Sequence, residues 1–416
     1  MIRIGIVGCG RILAAHLRGY RLLREAGIDD FRITALCARK ESDGWMYVKR
    51  GEGPAQRPPV SNIPGDPLSA GDEYLSDFQD DVDVQVYTDY HQMIADGPID
   101  AVNDFTLHTL HHDIADVSFE HGKHLLTQKP LAVTIAAARR MCDHAEAKDL
   151  VFGVFENARN NPVNRHLHWL FHDSHRCGQL QMALIGVIGA WWAPNKIVAE
   201  TPWRHFKEDA GGITLDIGVH QANALRYIAG EVTRVTGRTA ILEPTRYRYD
   251  TSGTVVEQID CDADDTFFAS FETDQNVVGS ITSSWGGHGE KTLLGAGAVY
   301  YGSGGKVTGG EVVTDGNQTA NLAELYQSES TAERQAADFP DGITDQFALN
   351  HYDWLAAIRQ KREPETSGRE GLRDLAVAYS ILESSHAGRT VDVEEVYNGQ
   401  LRETQKSLDQ QFGIQE

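Results

Sequence analysis

The stretch "IRIGIVGCGRILAAHLRGYRLLREAG", residues 2–27, decides the fold. It opens with a short apolar run, rich in β-branched residues, that stops at glycines, the pattern of a buried strand. "RILAAHLRGYRLLREAG" follows with helical spacing and stops at Gly27, and "FRITALCARK", residues 31–40, is a second strand. Strand, glycine turn, helix and strand in that order open a dinucleotide-binding unit. Gly8 permits the tight turn. Gly10 lets the backbone approach a pyrophosphate, whose charge the helix N-terminus stabilises. Leu13 stands where a third glycine would complete the motif. A GxG pair alone marks many turns that only pack. Its place between a first strand and a helix, with a second strand on time, is what points to a nucleotide.

The end of the second strand reads the ribose. An NAD site places Asp or Glu there, whereas this chain has Ala38, Arg39 and Lys40, with Glu41 next. Arg39 can stack on adenine and pair with a 2′-phosphate. The plainer reading is a solvated loop cation. The cofactor is NAD or NADP, with a slight lean to NADP.

Further along, residues 51–80 are rich in Pro, Gly and Asp and read as a surface insertion with the composition of a partly disordered loop. Strand and helix patterns then resume, and "LLTQKP" is a strand ending at Lys129. A lysine at the carboxyl end of a parallel strand stands where open α/β sheets bind ligands. The nearby histidines lack HExxH spacing and a clear third ligand, so no metal is expected; His108 or His111 at a nicotinamide edge is the better reading.

From about residue 151 the texture changes to alternating strands suited to an antiparallel sheet with one covered face. Among them, Ile213–Ile228 has helical spacing that puts Asp216 and His220 one turn apart on one face, either a tuned acid–base pair or a surface ion pair. Two amphipathic helices around "REPETSG" follow. The expected architecture is an α/β Rossmann domain at 1–150, an α+β domain with an open, mostly antiparallel sheet at 151–345, and C-terminal helices and tail at 346–416 packing back on the Rossmann domain.

Composition bounds the function. A chain of 416 residues implies two domains, and its 60 acidic against 38 basic side chains, net −22, argue against nucleic acid or an anionic membrane as partner. No apolar run is long enough to span a bilayer. The start lacks a signal-peptide layout, and the five cysteines are scattered, so a cytoplasmic protein with reduced thiols is expected.

Together, "GIVGCGRILAAH", "DAVNDFTLHTLHHDIADVSFEHGKHLLTQKP", "PWR…GGITLDIGVH" and "EPETSGREGL" resemble the Gfo/Idh/MocA family of oxidoreductases, from residue 2 to about 395. The family's Glu-Lys-Pro motif falls on Gln128, Lys129 and Pro130, and its Asp-x-x-x-His pair on Asp216 and His220. The resemblance implies that Lys129 hydrogen-bonds a substrate hydroxyl, His220 relays its proton and Asp216 orients the site. It places cofactor contacts at Gly8, Gly10, Arg11, Ile12, Ala38, Arg39, Thr106, His108, His111, Gln128 and Lys129. Substrate contacts are expected at Arg159, Asn160, Trp203, Arg204, Asp216 and His220, with Asn164, Trp191, Trp192 and His205 further candidates by position. It also makes Lys129–Pro130 a candidate cis bond and the second-domain sheet a route to a homodimer or homotetramer.

Three departures stand out: Gln128 replaces glutamate, Leu107-His108 replaces Pro-Asn, and Asn223 replaces an aspartate. The implied activity is hydride transfer to or from a secondary hydroxyl carbon of a sugar, cyclitol or glycoside. Two other readings are a glycoside-cleaving enzyme that oxidises C3 transiently, eliminates and re-reduces, and a non-catalytic nucleotide-binding regulator.

Overall fold

The computed structural model describes residues 1–63, 66–189, 195–289 and 298–414. The chain divides into two compact units. One comprises Met1–Ala132, Ala137–Asn160 and Phe339–Gly371; the other comprises Val133–Ala136, Asn161–Asp338 and the chain from Leu372 onward. The C-terminal segment, expected as one piece against the Rossmann domain, is thus split. The helix Gln346–Gln360 belongs to the first unit, where its Trp354 donates Nε1–H to the Leu125 carbonyl at 3.2 Å. The chain beyond Gly371 belongs to the second, where Tyr379 donates to the Val133 carbonyl and Ser384 accepts from the Gly237 N–H at 2.8 Å.

The first unit runs β1 (Ile2–Val7), α1 (Leu13–Glu25), β2 (Phe31–Cys37), α2 (Glu41–Trp45), β3 (Gln85–Tyr87), α3 (Tyr90–Asp96), β4 (Ala101–Asp104), α4 (His111–Glu120), β5 (His124–Gln128), α5 (Ile135–Ala147) and β6 (Phe152–Phe155). The strands lie in the order β3-β2-β1-β4-β5-β6, and every neighbouring pair is parallel. This is the doubly wound arrangement. β2 is buried along its whole length, as a parallel strand covered on both faces must be. Even Arg32 is buried there, with its guanidinium on Asp81 at 2.8 Å. α1 presents Leu13, Leu17, Tyr20 and Leu23 to this core. Leu13, at the place of the missing third glycine, is core.

The 51–80 insertion is tied down by side chains. The Gln56 carboxamide accepts from the Asp72 N–H at 3.1 Å and donates to the Glu73 carbonyl at 2.7 Å. The Gln79 carboxamide pairs in both directions with the backbone of Ile33 in β2, at 3.0 and 2.7 Å.

The second unit contains α6 (Pro162–Trp169), β7 (Leu180–Ile188), α7 (Ile213–Asp216), α8 (Gly218–Ala229), β8 (Val232–Ala240), β9 (Thr245–Tyr249), β10 (Val255–Asp260), β11 (Thr266–Thr273), β12 (Val278–Ser284), β13 (Ala298–Gly302), β14 (Gly305–Thr308), β15 (Glu311–Thr314), β16 (Gln318–Asn321) and β17 (Val391–Asp392). Its main sheet has the order β16-β15-β14-β13-β7-β12-β11-β8-β17. Pairing is antiparallel except between β7 and β12. β9 and β10 form a separate ribbon. In β11, Phe267, Ala269 and Phe271 point into the core while Phe268, Ser270 and Glu272 face outward, the alternation of a sheet with one covered face. No helix among the described residues is long and apolar enough to cross a membrane.

Candidate active site

In the first unit the glycine turn has two different glycines. Gly8 has φ +102°, and a Cβ there would come within 2.7 Å of the Phe105 carbonyl atoms, so only glycine fits. At Gly10 a Cβ would meet nothing within 4 Å. The space over the start of α1 is open, and its cap residue Ile12 provides no side-chain hydrogen bond. A helix start without a side-chain cap beside an open glycine suits a pyrophosphate, so the residues present fit a dinucleotide. Ile12 packs on the edge of the core, and Arg11 donates to the Pro58 carbonyl at 2.6 Å. Ala38 is nearly buried at the tip of β2, with its N–H on the Tyr87 carbonyl at 3.0 Å, and Arg39 beyond it is exposed. Two contacts to this turn were missed by sequence reasoning: Tyr47 Oη donates to the Gly10 carbonyl at 2.9 Å, and Arg57 Nη1 to the Cys9 carbonyl at 3.1 Å. Only the folded path of the insertion brings Arg57 there.

Asp104 closes β4 and is fully buried. Its Oδ1 accepts from the N–H and hydroxyl of Thr106 at 3.0 and 2.6 Å, and its Oδ2 from the Thr127 hydroxyl at 3.1 Å. This carboxylate therefore links the carboxyl ends of β4 and β5. "Asp-x-Thr" at a strand end is a turn signature that could have singled it out. His111 is also fully buried. Its Nδ1 lies 3.2 Å from the carbonyls of both Pro130 and Leu131, which fixes the proton on Nδ1. Its Nε2 lies 3.9 Å from Asp104 Oδ2. His108 is buried beside it, ring edge to ring face. His111 thus holds the backbone that follows Lys129.

The Lys129–Pro130 peptide is cis. Gln128 Oε1 accepts the Lys129 N–H at 2.9 Å, and its Nε2 lies 3.0 Å from Nε2 of His16. The first bond fixes the amide's orientation, so His16 Nε2 accepts and its Nδ1 donates to His351 Nε2, 3.1 Å away. Burial holds both rings neutral, His16 well below the usual imidazole range and His351 at about 3. His16 also stacks on Phe105. Of the expected substrate residues in this unit, Arg159 is nearly buried and bonds the Glu365 carbonyl at 3.1 Å and Glu370 Oε2 at 3.0 Å. Asn160 is buried beside it in sequence.

In the second unit, the helix read over Ile213–Ile228 is interrupted at Ile217, as α7 and α8, but its backbone bonds continue through Gln221 N–H to the Ile217 carbonyl at 3.2 Å. Asp216 is buried, and its Oδ2 accepts from Arg204 Nε at 2.9 Å. Arg204 also bonds the Thr201 hydroxyl and lies over the Trp203 ring, 4.3 Å from its centre. Trp203, Arg204 and Asp216 are therefore brought together, and half-buried His220 follows one turn along the same helix face. The start of α7 is fixed by Asp264, which accepts from the Thr214 N–H and hydroxyl at 3.1 and 2.6 Å. Burial pushes the Asp264 carboxyl up to about 6.

Other candidates in this unit have different surroundings. His205 is buried and accepts the Val198 N–H at 3.1 Å; burial, with Arg246 and Arg204 near, lowers it to about 3. Asn223 is fully buried and donates to Asp374 Oδ2 at 2.7 Å, whose other oxygen takes Arg226 at 2.6 Å. The position where the family has an aspartate thus serves an internal network. Asn164 is half-buried on α6, and Trp191 and Trp192 lie outside the described residues. Among the described residues no group of three His, Cys, Asp or Glu side chains could hold a metal ion.

Residues 178–393 match the model of the Gfo/Idh/MocA oxidoreductase family, C-terminal alpha/beta domain, and residues 68–156 match that family's NAD-binding Rossmann fold. The chain is 29% identical over 204 residues to D-xylose dehydrogenase of Paenarthrobacter nicotinovorans; that match spans 48% of this chain and about half, 51%, of that protein. It is 22% identical over 399 residues to D-apiose dehydrogenase of Paraburkholderia graminis, spanning 94% and 89% of the two. The solved structure of levoglucosan dehydrogenase in complex with NADH and L-sorbose has the same fold, with TM-score 0.70, 19% identity, and 94% and 99% of the two chains covered. The glycine turn, the Lys129 strand end, the mixed second sheet and these matches lead to one conclusion: the chain belongs to the Gfo/Idh/MocA family of oxidoreductases.

Proposed function

We propose that the protein is a nicotinamide-dependent oxidoreductase moving hydride to or from a secondary hydroxyl carbon of a sugar, cyclitol or glycoside. The observation that carries this reading is the place of Lys129. It leaves the carboxyl end of β5, on the same edge of the same parallel sheet as the open turn at Gly10. Ligands of open α/β sheets bind at that edge. The likeness to D-xylose and D-apiose dehydrogenases supports a sugar as substrate.

Gly8, Gly10 and the start of α1 hold NAD or NADP, which supplies the nicotinamide carbon that exchanges hydride. Lys129 donates to the substrate hydroxyl oxygen, and His220 takes or returns its proton. Positioned acid–base groups contribute roughly 10²–10⁴-fold. Asp216, charge-paired with Arg204, orients the start of the helix that carries His220. Gln128 and His111 hold the backbone on either side of Lys129. The open face of the nine-stranded sheet exposes Phe268, Val278 and Met182, and we assign it to a homodimer or homotetramer.

The test is to incubate the purified protein with NAD⁺ or NADP⁺ and a panel of sugars, cyclitols and p-nitrophenyl glycosides, following reduced nicotinamide and aglycone together. Net cofactor reduction supports the proposal. Aglycone release without net reduction replaces it with redox-neutral glycoside cleavage.

A further inference from the structure

Arg57 lies in the 51–80 insertion, yet its guanidinium reaches the dinucleotide motif. Its Nη1 donates to the Cys9 carbonyl at 3.1 Å, and its Nη2 pairs with Asp43 Oδ2 at 2.8 Å. Cys9 is the middle residue of the glycine turn after β1. Asp43 lies in α2, the short helix that follows β2, with its N–H on the Lys40 carbonyl at 2.9 Å. The guanidinium therefore bridges the carboxyl ends of β1 and β2. In a doubly wound sheet that cleft takes the adenosine ribose, and a 2′-phosphate there is accommodated by an arginine.

Three further observations fit a phosphate. The Arg57 side chain remains 33% exposed, and a guanidinium has five N–H donors, so it can bind outward while anchored. Ala38 at the tip of β2 offers no carboxylate to a ribose hydroxyl. Arg39 beside it is exposed.

We infer that Arg57 is the residue of this chain that binds the 2′-phosphate, assisted by Arg39, and that the cofactor is NADP(H). This rests on the reading above that the first unit binds a nicotinamide dinucleotide. Asp43 has two opposed effects: it aims the guanidinium and repels the incoming phosphate. Planar charge-assisted pairing makes arginine more effective here than lysine.

The test is equilibrium titration of NADPH and NADH, followed by nicotinamide fluorescence, on wild type, Arg57→Gln, Arg57→Lys and Asp43→Asn, each checked for native circular dichroism. The expected results are tighter binding of NADPH than NADH by wild type and an NADPH affinity about tenfold or more weaker in Arg57→Gln. Arg57→Lys is intermediate, Asp43→Asn binds NADPH more tightly than wild type, and NADH affinity stays within a few-fold throughout. If Arg57→Gln does not fold, the lysine and Asp43 variants carry the same test. Equal losses for both cofactors, no loss for NADPH, or a wild type that prefers NADH overturns the assignment. A wild type that binds neither cofactor overturns the dinucleotide reading itself, and the assignment with it.

Discussion

The Gln128 amide donates from Nε2 to Nε2 of His16 across 3.0 Å while its Oε1 accepts the Lys129 N–H at 2.9 Å, so one side chain couples Lys129 to a buried imidazole pair. Gln128→Glu keeps the bond to Lys129 but turns a second acceptor towards His16. Burial disfavours the carboxylate form, so the folded chain holds this carboxyl's proton more tightly than the unfolded chain does. A group bound more tightly to its proton in the folded state stabilises at low pH and loses that contribution as pH rises. Thermal unfolding should therefore show Gln128→Glu below wild type by several degrees near pH 8 and by less near pH 6. A deficit independent of pH would mean that no proton is shared there.

His111→Phe removes the donor to the Pro130 and Leu131 carbonyls. Leaving buried acceptors unsatisfied costs about 1–3 kcal/mol. Calorimetry should show a lowered Tm, and kcat should fall with it because the Lys129 backbone loses a support. A variant with wild-type stability and turnover would show that those carbonyls find another donor.

Acid should destabilise the fold over a defined window. His168, His205 and His351 are each held at about 3, chiefly by burial, against about 6.5 when unfolded. The unfolded chain binds more protons between those values, so stability is full above about 6.5 and falls progressively as pH drops towards 3. Asp264, raised to about 6, acts in the opposite sense, its contribution being lost as pH rises through 6. Three groups outweigh one, and Tm measured from pH 7.5 to 4.5 should fall. Asp264→Asn should steepen that fall by removing the opposing group; an unchanged slope would count against its assigned protonation.

On the open sheet face, Phe268 is 53% exposed and Val278 49% exposed. Phe268→Glu should convert a dimer or tetramer into a smaller species by light scattering. A wild-type monomer at micromolar concentration would remove that face as an interface.

The Rossmann half was legible because its signals are local. Period, glycine placement and the lysine at a strand end all lie within short stretches, and the parallel sheet follows from their order. The pairing of Asp216 with Arg204, 12 positions apart, was not legible, because the chain between them runs through irregular turns whose path no pattern fixes. For the same reason Arg57 read as loop. His111 and Asn223 lie in motifs that point to cofactor and substrate, yet the structure turns both inward, to backbone carbonyls and to Asp374. Residue type announced polar chemistry, but which side of the helix faced the core depended on packing.

Lys129→Ala tests the central claim most directly. Take the best substrate of the panel, deuterated at the carbinol carbon, and follow a single turnover by mass spectrometry of the cofactor. Wild type should transfer the label to the nicotinamide. Folded Lys129→Ala, binding cofactor within a few-fold of wild type, should transfer almost none on the same timescale. Label that never reaches the cofactor, or that reaches it at the wild-type rate in Lys129→Ala, would contradict the account.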